Sequence, residues 1–219
     1  MRLVFVGPPG AGKGTQAELL FERHGIKTLA SGNILREAIR NGEPIGREAA
    51  RCMEMGVLVP DQLITDLILS RLEKIGSTEP FILDGFPRTE IQAKALDAWL
   101  VQKKQPPIQL VVDFEIDTDK IIKRLAGRRI CKGCGANYHL ENLKPKKPGI
   151  CDRCGQELQT RPDDHLSTIG NRLAVYHQET EPLLNFYRAQ GKLRAVPGEF
   201  DIEDQYEALA SLLQAERLL

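Results

Sequence analysis

Short apolar runs alternate with longer amphipathic stretches along this chain. The apolar runs are typical of strands buried on both faces, and they predict strands near residues 3–6, 26–29, 81–83, 110–114 and 193–196. Apolar residues recur at helical spacing between these runs and predict helices near residues 15–23, 31–40, 46–55, 61–74, 89–104, 117–126, 166–190 and 204–217. This alternation indicates an α/β fold, in which helices cover both faces of a five-stranded parallel sheet.

Three residues predict where helices begin or bend. Ser31 suits the N-cap of its helix, because a hydroxyl can accept a hydrogen bond from a free backbone N–H in the first turn. Pro60 suits the first position of the next long helix. Pro182 predicts a kink within the helix at residues 166–190, since proline removes one backbone hydrogen bond.

The first predicted strand leads into Gly-Pro-Pro-Gly-Ala-Gly-Lys-Gly-Thr at residues 7–15. This run matches the phosphate-loop pattern G-x-x-x-x-G-K-[ST] between a predicted strand and a predicted helix. Its glycines let backbone N–H groups curl around an anion, and the helix N-terminus adds partial positive charge. Lys13 brings a point charge to the phosphates, and Thr15 offers a hydroxyl to a magnesium ion.

Residues 128–164 interrupt the alternation and contain two C-x-x-C pairs, separated by sixteen residues. Their spacing fits a structural metal site with the four ligands Cys131, Cys134, Cys151 and Cys154. The alternatives are four free thiols or two disulfides. Because this segment has few apolar residues, a metal ion would be needed to hold it together. Sulfur ligands suit zinc, although iron can occupy the same geometry.

An aspartate and several arginines also suggest a phosphate site. Asp84 follows a predicted buried strand, where a carboxylate can hold magnesium or its water ligands in a phosphate-loop enzyme. Several arginines stand in polar or turn settings, where guanidinium groups could clamp phosphates: Arg36, Arg88, Arg128, Arg129, Arg161 and Arg172. Gln92 has two interpretations: it completes a capping box with Thr89, or its amide contacts a nucleotide base.

The overall charge excludes some classes of protein. Thirty basic residues balance thirty acidic ones, which argues against a general nucleic-acid-binding protein. No apolar run reaches the length of a membrane span, and the first residues do not resemble a signal peptide. We therefore expect a cytoplasmic protein that binds neither nucleic acid nor membrane.

Taken in order, these motifs resemble the adenylate kinase family, of the long bacterial type with a zinc-binding lid. The resemblance covers residues 1–213, and its most specific marks include Asp84-Gly85-Phe86-Pro87-Arg88 and Arg161-Pro162-Asp163-Asp164. It implies a phosphate-loop kinase fold and reversible phosphoryl transfer from MgATP to AMP, giving two ADP, by a monomer. The implied parts are a core (residues 1–29, 60–127 and 165–219), a helical monophosphate-binding arm (30–59) and a small zinc-binding lid (128–164).

The same resemblance implies a role for each matching residue. ATP is expected at Gly10, Ala11, Gly12, Lys13, Gly14, Thr15, Arg124, Arg128, Asn137, Tyr138 and Phe200. AMP is expected at Ser31, Arg36, Val57, Leu58, Val59, Gly85, Phe86, Pro87, Arg88, Gln92, Arg161 and Arg172. Catalytic roles are expected for Lys13, Asp84, Arg88, Arg128, Arg161 and Arg172, with Asp84 fixing magnesium-bound water.

Two positions depart from the family pattern. Ser31 replaces the usual threonine and keeps the hydroxyl, whereas Asn33 replaces a common aspartate and removes a negative charge near the acceptor site. We expect Asn33 to change acceptor affinity without abolishing activity.

Three other functions remain open from the residues alone. The chain could be a nucleoside monophosphate kinase that uses UMP or CMP as acceptor, or GTP as donor. It could also be a zinc-ribbon nucleic-acid-binding protein or a phosphate-loop switch without kinase activity. Zero net charge and few aromatic residues near the cysteines count against the zinc ribbon, and the arginines count against the switch.

Overall fold

The computed structural model describes residues 1–76 and 79–219. Within them, a parallel sheet of five strands has the order β2-β3-β1-β4-β8, and an antiparallel sheet of three short strands has the order β6-β5-β7. The strands are β1 (Arg2–Val6), β2 (Lys27–Ala30), β3 (Phe81–Asp84), β4 (Leu110–Glu115), β5 (Arg128–Cys131), β6 (Asn137–His139), β7 (Leu158–Gln159) and β8 (Leu193–Pro197). The predicted five-stranded parallel sheet is confirmed.

Helices follow most strands of the parallel sheet. They are α1 (Lys13–His24), α2 (Ser31–Arg40), α3 (Gly46–Met55), α4 (Asp61–Leu72), α5 (Glu90–Gln102), α6 (Thr118–Gly127), α7 (Leu166–Val175), α8 (Glu181–Ala189) and α9 (Ile202–Ala215). A 3-10 turn at Pro162–Asp164 precedes α7, and a π-helical turn at Tyr176–Thr180 joins α7 to α8. No helix in the two described ranges is long and apolar enough to cross a membrane.

The central strand β1 explains why both faces of the sheet are covered. All five of its residues are buried, and successive side chains point to opposite faces. Val4 packs with Ile68 of α4 on one face, whereas Leu3 packs with Leu20 of α1 on the other. Full burial of each such side chain contributes about 1.5–3 kcal/mol, so the continuous apolar run becomes a strand between two helical layers.

The sheet register brings two predicted motifs to the same edge. Phe5 pairs with Asp84 across β1 and β3, and the phosphate loop leaves β1 just beyond Val6. Because both strands run in the same direction, the loop and Asp84 meet at the carboxyl edge of the sheet. This edge is where open α/β sheets bind their ligands.

Two local predictions were wrong in detail. Ala30, not Ser31, is the N-cap of α2, because the Ser31 hydroxyl donates instead to the Gly85 carbonyl, 2.7 Å away. Pro60 lies just before α4 instead of at its first position. A π-helical turn interrupts the predicted helix at residues 166–190, and Pro182 lies in the first turn of α8, where a missing N–H is tolerated.

Candidate active site

A cleft with a volume of about 1420 Å³ lies beyond the carboxyl edge of the parallel sheet. Its lining includes the phosphate loop, the start of α2, residues 56–59, residues 84, 85, 87 and 88, part of the antiparallel sheet and residues 199–205. Sites for one drug-sized ligand usually occupy about 300–1000 Å³. The cleft therefore has room for more than one such ligand.

The phosphate loop forms the floor of this cleft. Gly7, Gly10 and Gly12 have φ values of 135°, 87° and 97°, which L side chains rarely adopt. Within the described chain, the backbone N–H groups of residues 12–15 have no hydrogen-bond acceptor at the N-terminus of α1. Free N–H groups and the helix dipole together make the loop an anion-binding site.

Lys13 is folded back across this loop. Its ammonium donates to the carbonyl oxygens of Gly7 and Pro8 at 2.6 and 2.8 Å. Burial lowers the pKa of Lys13 to about 8, and nearby Asp84 opposes that shift. A polyphosphate beside this ammonium would favour its charged form.

The Asp84 carboxylate lies beside the start of α1. A Cβ at Gly14 would lie 3.3 Å from its Oδ2 atom, a tight contact that glycine avoids. Thr15 follows in the first turn of α1 and lines the same cleft. Carboxylate and hydroxyl oxygens are suitable ligands for magnesium or for its water molecules.

Five of the six predicted arginines line the cleft, whereas Arg129 does not and donates instead to the carbonyls of Ala126 and Arg128. Burial lowers the pKa of Arg161 well below its usual value, and the positive charges of Arg128 and Arg36 lower it further. Burial also lowers the pKa of Arg88, and Arg172 adds to the effect. Holding these positive charges close together costs free energy, and a bound anion with several negative charges would offset that cost.

Two adjacent aspartates hold part of this arginine cluster in position. Asp164 is fully buried and accepts hydrogen bonds from Arg128 Nε at 2.7 Å, Arg128 Nη2 at 2.5 Å and Arg172 Nη1 at 2.9 Å. Asp163 pairs with Arg172 at 3.1 Å. The sequence analysis gave neither aspartate a role, although two acidic residues in a turn just after Arg161 are a usable signal.

The expected acceptor side is formed by α2 and the turn after β3. The Gly85 carbonyl accepts from Ser31 Oγ and, at 2.9 Å, from Arg88 Nε. Gly85 has φ 73°, and a Cβ there would lie 2.7 Å from Ser31 Oγ, so only glycine fits. Phe86, by contrast, is fully buried in the core and does not line the cleft.

Gln92 takes part in the helix cap, and its contact with a nucleotide base stays a prediction. Its backbone N–H donates to Thr89 Oγ1 at 3.2 Å, which is the helix cap. Its side chain accepts from the Arg88 N–H and donates to Asp61 Oδ1, both at 2.7 Å. The amide therefore orients Arg88 from within the protein, and it also lines the cleft.

Residues from α7 contact the arm side of the cleft. Thr168 Oγ1 donates to the Glu54 carbonyl at 3.5 Å, and Asn171 Nδ2 donates to the Met55 carbonyl. These contacts lie at the C-terminal end of α3, directly before Val57, Leu58 and Val59, which line the cleft. Neither Thr168 nor Asn171 was given a role from the sequence.

The expected donor side lies between α6 and the segment before α9. Arg124 donates to the carbonyls of Gly198 at 2.6 Å and Phe200 at 3.0 Å, so it fixes this segment at the rim. Phe200 is half-exposed and lines the cleft. Asn137 accepts from Arg161. Tyr138 lines the cleft but its hydroxyl accepts from Asp152 N–H at 2.7 Å, beside the cysteines.

The four cysteines form a compact cluster next to the antiparallel sheet. All four sulfur atoms lie within 4.8 Å of one another, and the closest pairs are 3.3 Å apart (Cys131 and Cys154) and 3.5 Å apart (Cys134 and Cys151). Tetrahedral zinc with Zn–S bonds of about 2.3 Å requires sulfur atoms roughly 3.8 Å apart. The donor set fits a closed structural zinc site, and none of the four is in a disulfide.

The cysteine-rich segment also contacts the core. Arg153, between Cys151 and Cys154, pairs with Glu18 of α1 at 2.6 Å and with Glu22 at 3.1 Å. These ion pairs hold the segment against α1, beside the phosphate loop.

A glycine loop after the first strand, a carboxylate after its neighbour and converging arginines define a phosphate-loop enzyme that acts on phosphorylated ligands. The family model for adenylate kinase matches residues 5–192. A Caldicellulosiruptor bescii adenylate kinase is 44% identical over 216 residues, covering 99% of this chain and 100% of the relative. A Geobacillus adenylate kinase is 46% identical, covering 97% and 98%, and an Archaeoglobus fulgidus one is 42% identical, covering 98% of each. The chain belongs to the adenylate kinase family.

Proposed function

We propose that this protein catalyses reversible phosphoryl transfer from ATP to AMP, giving two ADP. The family and the names of its relatives support this activity. The observation that carries it is the arginine cluster, which faces the phosphate loop across one cleft large enough for two nucleotides. Nothing in the cleft favours a zinc-ribbon nucleic-acid-binding function or a switch without kinase activity.

The proposed mechanism needs alignment and charge more than covalent chemistry. The acceptor phosphate is already a nucleophile, so no protein base is required. Lys13 and the N–H groups of the loop hold the donor phosphates, and Arg36 and Arg88 hold the acceptor phosphate. Arg128, Arg161 and Arg172 stabilise the charge on the phosphoryl group as it crosses. Magnesium, when bound, neutralises phosphate charge, and Asp84 and Thr15 are the residues that would hold its ligands.

Water must be kept from the phosphoryl group during transfer. We propose that residues 30–59 act as an arm and residues 128–164 as a lid that close over both nucleotides. The ion pairs of Arg153 with α1 support a closed lid position. A zinc ion at the cysteines would keep the lid stiff. Its role would be structural, because a closed four-sulfur site leaves no position for substrate. We further propose that the protein is monomeric and cytoplasmic.

A coupled assay with MgATP and a panel of acceptors (AMP, UMP and CMP) tests the proposal, with GTP as the alternative donor. We expect AMP with ATP to be the best pair by kcat/KM. Lys13→Ala and Arg88→Ala should each lower kcat by at least about a hundredfold while the protein stays folded. Lys123→Ala and Arg40→Ala, at exposed positions, are the matched controls. Wild-type rates for Lys13→Ala and Arg88→Ala, or a preference for another acceptor, would contradict the proposal.

A further inference from the structure

A buried amide from the last helix reaches the phosphate loop. Gln205 of α9 is 3% exposed, and its Nε2 donates to the carbonyls of Ala11 at 3.1 Å and Pro197 at 3.3 Å. Its Oε1 accepts from Gln16 Nε2 at 3.2 Å. The side chain thus connects the loop, β8 and α1, and no motif of the sequence pointed to it.

The contact with Ala11 determines the direction of the next N–H group. The peptide between Ala11 and Gly12 is planar and trans, so its C=O and N–H point in opposite directions. With the carbonyl held toward Gln205, the Gly12 N–H must point away from α9. That N–H is one of those without an acceptor at the start of α1, where an anion would bind.

Gln205 also packs closely against the loop itself. A Cβ at Gly12 would collide with Gln205 Oε1, so the amide occupies the space behind the glycine. Gly12 has φ 97°, a conformation that glycine adopts readily and other residues rarely do. The amide therefore restrains both the position and the orientation of this peptide.

We propose that Gln205 is a positioning residue for the donor phosphates, and that it acts by aiming the Gly12 N–H into the phosphate loop. This inference rests on the proposed function, since it takes the loop to be the donor site. Gln205 does not need to touch the nucleotide. Its effect on the phosphates passes through the hydrogen bond to Ala11 and so through the Ala11–Gly12 peptide.

The test compares two variants, each of which removes one of the two hydrogen-bonded side-chain amides, Gln205 and Gln16. Gln205→Met keeps the volume but loses the hydrogen bonds to Ala11, Pro197 and Gln16. Gln16→Met keeps the bond from Gln205 to Ala11 and loses only its own contacts with Gln205 and Ile202. We expect Gln205→Met to raise the KM for ATP about tenfold, the value for one hydrogen bond to a charged group. The KM for AMP should stay unchanged. Gln16→Met should leave both constants unchanged, whatever its melting temperature.

Binding of inorganic tripolyphosphate, measured by calorimetry, shows whether the phosphates carry the effect. Its Kd should rise with the KM for ATP in Gln205→Met. If that variant does not fold, Gln205→Asn keeps the amide but is one methylene shorter, and it should show a smaller effect of the same selectivity. An unchanged KM for ATP, an equal change for AMP, or an equal effect in Gln16→Met would overturn the inference. A wild-type protein that does not phosphorylate AMP would instead overturn the proposed function.

Discussion

Asp164 provides the sharpest test of how the arginines are held. Asp164→Asn keeps the shape of the side chain but removes its charge and turns one acceptor oxygen into a donor. Asp164 accepts two hydrogen bonds from Arg128 and one from Arg172, so at least one guanidinium N–H would face another donor. The variant therefore leaves two partly buried arginines without their common negatively charged partner.

The burial of the three side chains sets the size of the effect of Asp164→Asn. Removal of one partner from a buried ion pair costs about 3–5 kcal/mol. Asp164 is fully buried, but the side chains of Arg128 and Arg172 are 19% and 18% exposed, so water can reach them and we take the lower end, about 3 kcal/mol. We assign about 2 kcal/mol of this to the transition state, which lowers kcat roughly 30-fold. The remaining 1 kcal/mol or so lowers Tm by about 3 °C.

The assay is steady-state turnover at saturating MgATP and AMP, with Tm measured by circular dichroism. Asp163→Asn is the matched control, because within the described residues the Asp163 carboxylate forms its ion pair with Arg172 alone, and its backbone carbonyl still accepts from that arginine at 2.9 Å. We expect the control to lose less than about fivefold in kcat. A kcat for Asp164→Asn within threefold of wild type, or equal losses in the two variants, would refute the reasoning.

Three further predictions concern protonation, metal and the acceptor site. Burial holds the pKa of Lys13 at about 8, so kcat/KM for ATP should fall as the pH rises through that value and the ammonium loses its proton; a profile that stays flat to pH 10 would contradict this. Cys131→Ser should lower Tm by more than about 10 °C while turnover at 25 °C changes less than threefold, and metal analysis should show loss of zinc; collapse of turnover in folded protein would show that the cluster does more than stiffen the lid. Asn33→Asp should raise the KM for AMP about two- to fivefold, because a carboxylate in place of Asn33 Oδ1, 2.7 Å from Arg36 Nη2, would compete with phosphate for that arginine. An unchanged kcat and KM for AMP would show that this position does not influence the acceptor site.

The fold and the phosphate loop were predictable because their signals are local. The five strands follow from short apolar runs, and the loop lies within nine consecutive residues. The cysteine cluster was also predictable, since two C-x-x-C pairs need only one folded turn each to face a common ion. Helix ends were less predictable: Ser31 fits an N-cap locally, yet a carbonyl 54 positions away takes its hydroxyl.

The positions of individual side chains in the site depended on distant partners. Sequence placed Phe86 with the acceptor residues because of its motif, whereas packing places its ring in the core. Gln205 has no signal at all, because its partner Ala11 is 194 positions away. The helix cap of Gln92 is local, but the partner of its side-chain amide, Asp61, is 31 positions away.

The sequence by itself determined the alternation of strands and helices, the anion-binding loop and the four sulfur ligands. Each depends on residues within a few positions of one another, so local geometry is enough to recognise it. Only the tertiary structure decided which arginines converge, that Asp164 holds two of them, and that Gln205 supports the loop. These contacts form when the parallel sheet brings strand ends and helix ends from remote positions to one edge, and no local pattern encodes which side chains meet there.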